Sequence, residues 1–93
     1  MTGMLADGTF AGKVALVTGG GSGLGRAFAL EFARLGAEVV VAGRRPEPLD
    51  ETVGLIAAQG ETALAQPTDV RDPDQVEALV AAAVERFGRV DVL

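Results

Sequence analysis

Two continuous apolar runs, Val14-Ala15-Leu16-Val17 and Val39-Val40-Val41-Ala42, constrain this chain more than any other feature. A strand with one wet face alternates apolar and polar residues. These runs do not alternate, so each needs cover on both faces, as in a parallel sheet flanked by helices. Between them, Leu24, Phe28, Phe32 and Leu35 recur at helical spacing and mark one apolar face, and Gly36 stands where a helix C-terminal glycine belongs. No hairpin dipeptide joins the two runs. The order strand, helix, strand therefore implies a right-handed crossover and parallel pairing.

The alternation continues to the end of the chain. Pro46 and Pro48 fit only the first turn of a helix, because proline has no amide hydrogen for an interior turn. Leu49, Val53, Ile56 and Ala57 then form an apolar stripe that ends near Gly60, and Thr62–Gln66 is a weaker third strand. Asp72-Pro73-Asp74-Gln75 is a helix opening with an acidic cap, a proline at the first helical position and a glutamine three residues after the cap. Val76, Leu79, Val80, Ala83, Val84 and Phe87 follow as one face before Gly88, and Val90-Asp91-Val92-Leu93 reads as a fourth strand. The expected fold is α/β: a β-α-β-α-β-α-β succession on a parallel sheet, one domain over residues 1–93, breaking off in the fourth strand.

Composition removes much of catalytic chemistry. The 93 residues include no Cys, His, Trp, Tyr or Asn, and Lys13 and Ser22 are the only Lys and Ser. Thiolate zinc sites, disulfides and any His-based general base or nucleophile activation are excluded. A hydrophobic share of 48% against 23% charged residues favours a packed core. A net charge of −5 disfavours non-specific binding to nucleic acid or anionic membrane. No apolar run is long enough for a spanning helix, and residues 1–11 do not resemble a secretory signal, so the cytoplasm is the default address.

The first strand ends in Thr18-Gly19-Gly20-Gly21-Ser22-Gly23-Leu24-Gly25, where five of eight residues are glycine. Glycine admits positive φ and leaves no Cβ between backbone and ligand. The free amides and dipole of the following helix favour a phosphate, at the carboxyl edge of the sheet where open α/β folds bind ligands. The triphosphatase loop G-x-x-x-x-G-K-[ST] fits at Gly20 and Gly25, but Arg26 and Ala27 replace its Lys and hydroxyl. The spacing that fits is T-G-x-x-x-G-x-G, formed by Thr18, Gly19, Gly23 and Gly25.

That spacing resembles the short-chain dehydrogenase/reductase family. The likeness extends over Phe10–Gly19, Gly43-Arg44-Arg45, Thr68-Asp69-Val70 and Phe87–Leu93, four landmarks in the family's order. The resemblance implies an oxidoreductase that moves a hydride between a nicotinamide dinucleotide and a small alcohol or carbonyl substrate, and that works as a homo-oligomer when full length. It implies that Gly19, Gly21, Ser22, Gly23 and Leu24 lie along the pyrophosphate and adjoining ribose, and that Gly25 lets the helix approach the strand. Asp69 is then the acceptor for the adenine amino group, and Val70 lines the adenine pocket. A carboxylate at position 43 would mark NAD. Gly43, followed by Arg44 and Arg45, favours the extra phosphate of NADP, although Ser22 is not basic as its counterpart is in many NADP-preferring relatives.

The family's Asn-Asn-Ala-Gly segment and its catalytic Ser, Tyr and Lys have no counterpart here, so no residue is named catalytic. Two readings stand at this point. One is the cofactor-binding N-terminal part of a longer NAD(P)-dependent enzyme, inactive by itself; the other is a free-standing nucleotide-binding or structural module.

Overall fold

The computed structural model describes residues 10–91. Three strands and three helices alternate as β1 (Val14–Thr18), α1 (Gly23–Arg34), β2 (Glu38–Gly43), α2 (Pro46–Ala58), β3 (Ala63–Pro67) and α3 (Pro73–Phe87). Both strand pairs are parallel and the sheet order is β1-β2-β3. The register sets Thr18 beside Ala42 and Gly43 beside Pro67, which brings the three carboxyl ends to one edge. This is a partial Rossmann-like α/β fold.

The apolar runs are covered on both faces, as their lack of alternation requires. Ala15, Val17, Val39 and Val41 face α1 and α2, where Ala29, Ala33, Leu49 and Ile56 meet them. Val14, Leu16, Val40 and Ala42 face the other way, onto Leu79 and Ala83 of α3. Burying Leu49, Ile56 and Leu79 stabilises the fold by about 1.5–3 kcal/mol for each side chain. Phe10 packs on Phe32 with ring centroids 5.6 Å apart, and its amide donates to the Leu35 carbonyl, which ties the entry segment to the end of α1.

The helix faces differ from the expected ones. On α1, Phe32 packs against the core and Leu35, just past the helix end, is buried, both as expected. But Leu24 is 70% and Phe28 51% exposed, and the fully covered helix positions are Ala29 and Ala33. The reason lies one position away: a Cβ on Gly25 would stand 1.9 Å from the Gly19 carbonyl oxygen, so the helix starts nearly in contact with the loop backbone. A helix seated that close meets the sheet through small side chains. On α2, Thr52 is buried and Ala57 exposed. On α3, Val80 and Val84 are exposed while Leu79 and Ala83 are covered.

The helix starts match the reading. Proline occupies the first turn of α2 and of α3, and the Asp72 carboxylate accepts the Asp74 amide at 3.0 Å. Gln75 does not close the expected capping box through backbone. Its Nε2 donates to Asp72 Oδ2, and its Oε1 accepts the Asp69 amide at 2.8 Å, so it braces the loop before the helix. Of the expected fourth strand, Val90 and Asp91 lie outside regular structure, and Val92 and Leu93 lie outside the described residues. Asp91 nevertheless reaches β1. Its amide donates to the Val14 carbonyl, and the Val14 amide donates to Asp91 Oδ2, each at 2.9 Å.

Candidate functional site

The turns that leave β1, β2 and β3 converge on one cleft of about 430 Å³. Thr18 and Gly19 come from the first turn, Gly43 and Arg44 from the second, and Thr68 to Arg71 from the third. A smaller recess of about 200 Å³ adjoins it, bounded by Gly21 and Ser22 on one side and by Arg44, Arg45 and Pro48 on the other. Parallel pairing with ends in register produces this convergence, which no single turn could.

Gly19 and Gly23 have φ of +67° and +56°, the left-handed region that costs an L-residue about 1–2 kcal/mol. A Cβ on either would meet nothing within 4 Å, so the backbone there borders open space. Ser22 precedes α1 with extended backbone, and its side chain makes no capping hydrogen bond. The first turn of α1 holds no acidic residue. Its orphan amides and the positive end of its dipole are thus left to whatever enters the cleft.

Asp69 lies on the wall formed by the turn after β3. The Arg71 amide and Nε donate to its Oδ1 at 2.9 and 3.0 Å, and Arg71 Nη2 donates to Oδ2 at 3.0 Å. These bonds, from the Arg71 side chain first and its amide second, lower the Asp69 carboxyl to about 2. Oδ2 keeps one lone pair, so the carboxylate can still accept from an amino group. Val70 lines the same wall and is 55% exposed. Thr68, nearly buried, fixes the turn: its amide donates to the Gly43 carbonyl at 2.6 Å and its Oγ1 to the Gln66 carbonyl at 2.9 Å.

The residues expected at the site therefore divide. Gly19, Arg44, Asp69 and Val70 share the main cleft; Gly21, Ser22, Arg44 and Arg45 share the recess. Gly25 does not border either space and instead provides the close helix approach. Leu24 is exposed at the start of α1, beside the loop rather than under it. Gly21 lies against α2, where a Cβ would stand 2.8 Å from the Pro48 Cβ. Two further residues went unrecognised in the sequence. Arg26 Nε donates to Thr52 Oγ1 at 2.9 Å, its Nη2 donates to the carbonyls of Gly21 and Pro48, and Thr52 Oγ1 contacts the Gly20 carbonyl at 2.7 Å. The partners stand 26 positions apart on different helices, a relation no local motif carries.

Among the described residues no group of acidic side chains is placed to hold a metal ion, and no helix is long and apolar enough to cross a membrane. The cleft combines open space beside the glycine backbone with the cations Arg44 and Arg71 and the carboxylate acceptor Asp69. That set suits a phosphorylated, purine-bearing ligand.

Comparison with known proteins agrees with this geometry. Residues 13–93 match the family model described as short chain dehydrogenase, and the chain belongs to that family, whose members are oxidoreductases. A putative ketoacyl reductase of granaticin polyketide synthesis from Streptomyces violaceoruber is 45% identical over 92 residues, covering 99% of this chain and 34% of that protein. A metagenomic short-chain oxidoreductase solved in complex with NADP superposes with a TM-score of 0.87 at 35% identity, over 91% of this chain and 38% of that one. A short-chain dehydrogenase/reductase from Burkholderia phymatum, solved in complex with NAD, gives 0.85 at 46% identity, over 88% and 29%. The chain spans between 7% and 36% of the length of the curated relatives considered.

Proposed function

We propose that this chain is the N-terminal, dinucleotide-binding part of an NAD(P)(H)-dependent oxidoreductase, within a single Rossmann domain. The observation that carries the reading is the meeting of three strand ends, Thr18-Gly19, Gly43-Arg44 and Thr68-Asp69, around one cleft. In this reading Gly19, Ser22, Gly23 and Leu24 border the pyrophosphate and its ribose, Asp69 accepts from the adenine amino group, and Val70 covers the ring. The nicotinamide, when bound, would supply the hydride to a carbonyl substrate or take it up from an alcohol. The residues here bind and orient it. With no Tyr in the sequence, and Lys13 and Ser22 placed before β1 and in the glycine loop, these residues hold no acid/base for the transfer. Turnover of a ketone panel with NADPH by this chain alone would contradict that assignment.

The favoured dinucleotide is NADP(H). The recess beside Gly43 holds no carboxylate, and it is bounded by Arg44 and Arg45, whose planar guanidinium groups match a phosphate. Family neighbours solved with NADP and with NAD support the ligand class without choosing within it. Side-by-side calorimetric titration provides the choice. NADP+ is expected to bind more tightly than NAD+, and Arg44→Ala to weaken NADP+ about tenfold while leaving NAD+ within about twofold. Tighter binding of NAD+, unaffected by Arg44→Ala, would overturn the preference.

A further inference from the structure

We propose that Arg26 and Thr52 are positioning residues for the glycine loop, which aim its amides at the ligand by holding its carbonyls from behind; this rests on the dinucleotide reading above. Thr52 is fully buried on α2, and its hydroxyl both accepts and donates. It accepts from Arg26 Nε at 2.9 Å and has one proton to give. The Gly20 carbonyl at 2.7 Å takes that proton, being closer than the Pro48 carbonyl at 3.2 Å, which accepts from Arg26 Nη2 at 3.0 Å. The same Nη2 donates to the Gly21 carbonyl. Two successive loop carbonyls, with that of Pro48 at the start of α2, are thus turned into the α1–α2 interface.

Peptide planarity converts this into direction. Across a trans peptide the C=O of one residue and the N–H of the next point opposite ways. With the Gly20 and Gly21 carbonyls held toward Thr52 and Arg26, the amides of Gly21 and Ser22 point away from α2's buried side. Those two residues border the recess. The Cβ-free approach of Gly21 to Pro48 lets the loop lie flat on the first turn of α2, which follows Arg44 and Arg45. One clamp therefore registers the phosphate loop against the arginine-bearing turn. Arg26 stands where a triphosphatase loop would carry its phosphate-binding lysine, but it faces the opposite way and grips protein instead of ligand.

The test uses the full chain, well below the Tm of each variant, with two probes: NADP+, and adenosine, which carries no phosphate. Thr52→Val and Arg26→Met are expected to weaken NADP+ about tenfold and adenosine by less than about twofold, with Thr52→Ser restoring NADP+ binding to within about twofold of the parent. In the double variant the losses should be less than multiplicative, because the residues hold one loop. Equal weakening of both probes, or a fall in Tm with NADP+ binding unchanged, would overturn the positioning role. Failure of the parent chain to bind NADP+ or NAD+ would instead overturn the dinucleotide reading on which it rests.

Discussion

A carboxylate that already accepts three hydrogen bonds from Arg71 resists protonation, and Asp69 is that group. Its carboxyl is lowered from 3.8 to about 2, so the native pairing is complete above 3.8 and is lost only as pH falls through about 2. We expect a carboxyl-carbon NMR titration of Asp69 to show a midpoint near 2, and Arg71→Ala to return it toward 3.8. A midpoint that stays low in the variant would mean another donor holds the charge. The site was unevenly legible at this scale. Gly19, Gly23 and Gly25 stand out because positive φ and close approach both demand glycine, so chemistry and residue type coincide. Arg71 and Gln75 did not stand out as Asp69's partners, since a charged or amide side chain on a turn looks solvated until the turn closes. Arg26 looked like a failed lysine for the same reason.

Among the elements, α3 has the best-defined start. The Asp72 carboxylate accepts the Asp74 amide and also the Gln75 side chain, so one residue satisfies an orphan donor and braces the preceding turn. Asp72→Ala should cost about 1 kcal/mol, read as a lowered midpoint in urea unfolding with unchanged slope. The strands and helix starts were legible because proline, caps and unbroken apolar runs act through local rules. The buried helix faces were legible in part: Leu49, Ile56, Leu79 and Ala83 are covered as expected, while Leu24, Phe28, Val80 and Val84 are exposed. Periodicity selects the largest apolar residues, and on α1 that chose Leu24 and Phe28, whereas the fully covered positions are Ala29 and Ala33, and Gly25 lies against the loop backbone. Ala29 and Ala33 stand four apart, a helical spacing, but alanine carries too little hydrophobicity to mark a face by itself. Thr52 escaped for a related reason: a hydroxyl on a buried face is recognisable only once its partners in the glycine loop are in place.

For the whole molecule, the described residues cover the sheet unequally. Among them two helices lie on one face and α3 alone on the other, held through Leu79 and Ala83. Leu79→Ala should destabilise the chain by about 2–5 kcal/mol. Hydrogen exchange in the variant should speed up in α3 more than in the β1–β2 ladder, because the thinly held face opens first. Uniform acceleration across all elements would show that the two faces unfold as one. The order of strands and helices followed from sequence because each crossover is local, while the β1 contact at Asp91 spans 77 positions and left no nearby trace. That contact also bears on how the chain is made. β1 leaves the ribosome before Asp91, and at roughly 5–20 residues per second this partner for its outer edge emerges about 4–15 s later. Through that interval the nascent chain presents an open parallel strand edge to its surroundings, the kind of template on which other chains pair. The arrival of Asp91, which gives and takes a hydrogen bond at Val14, ends this exposure at the start of the strand.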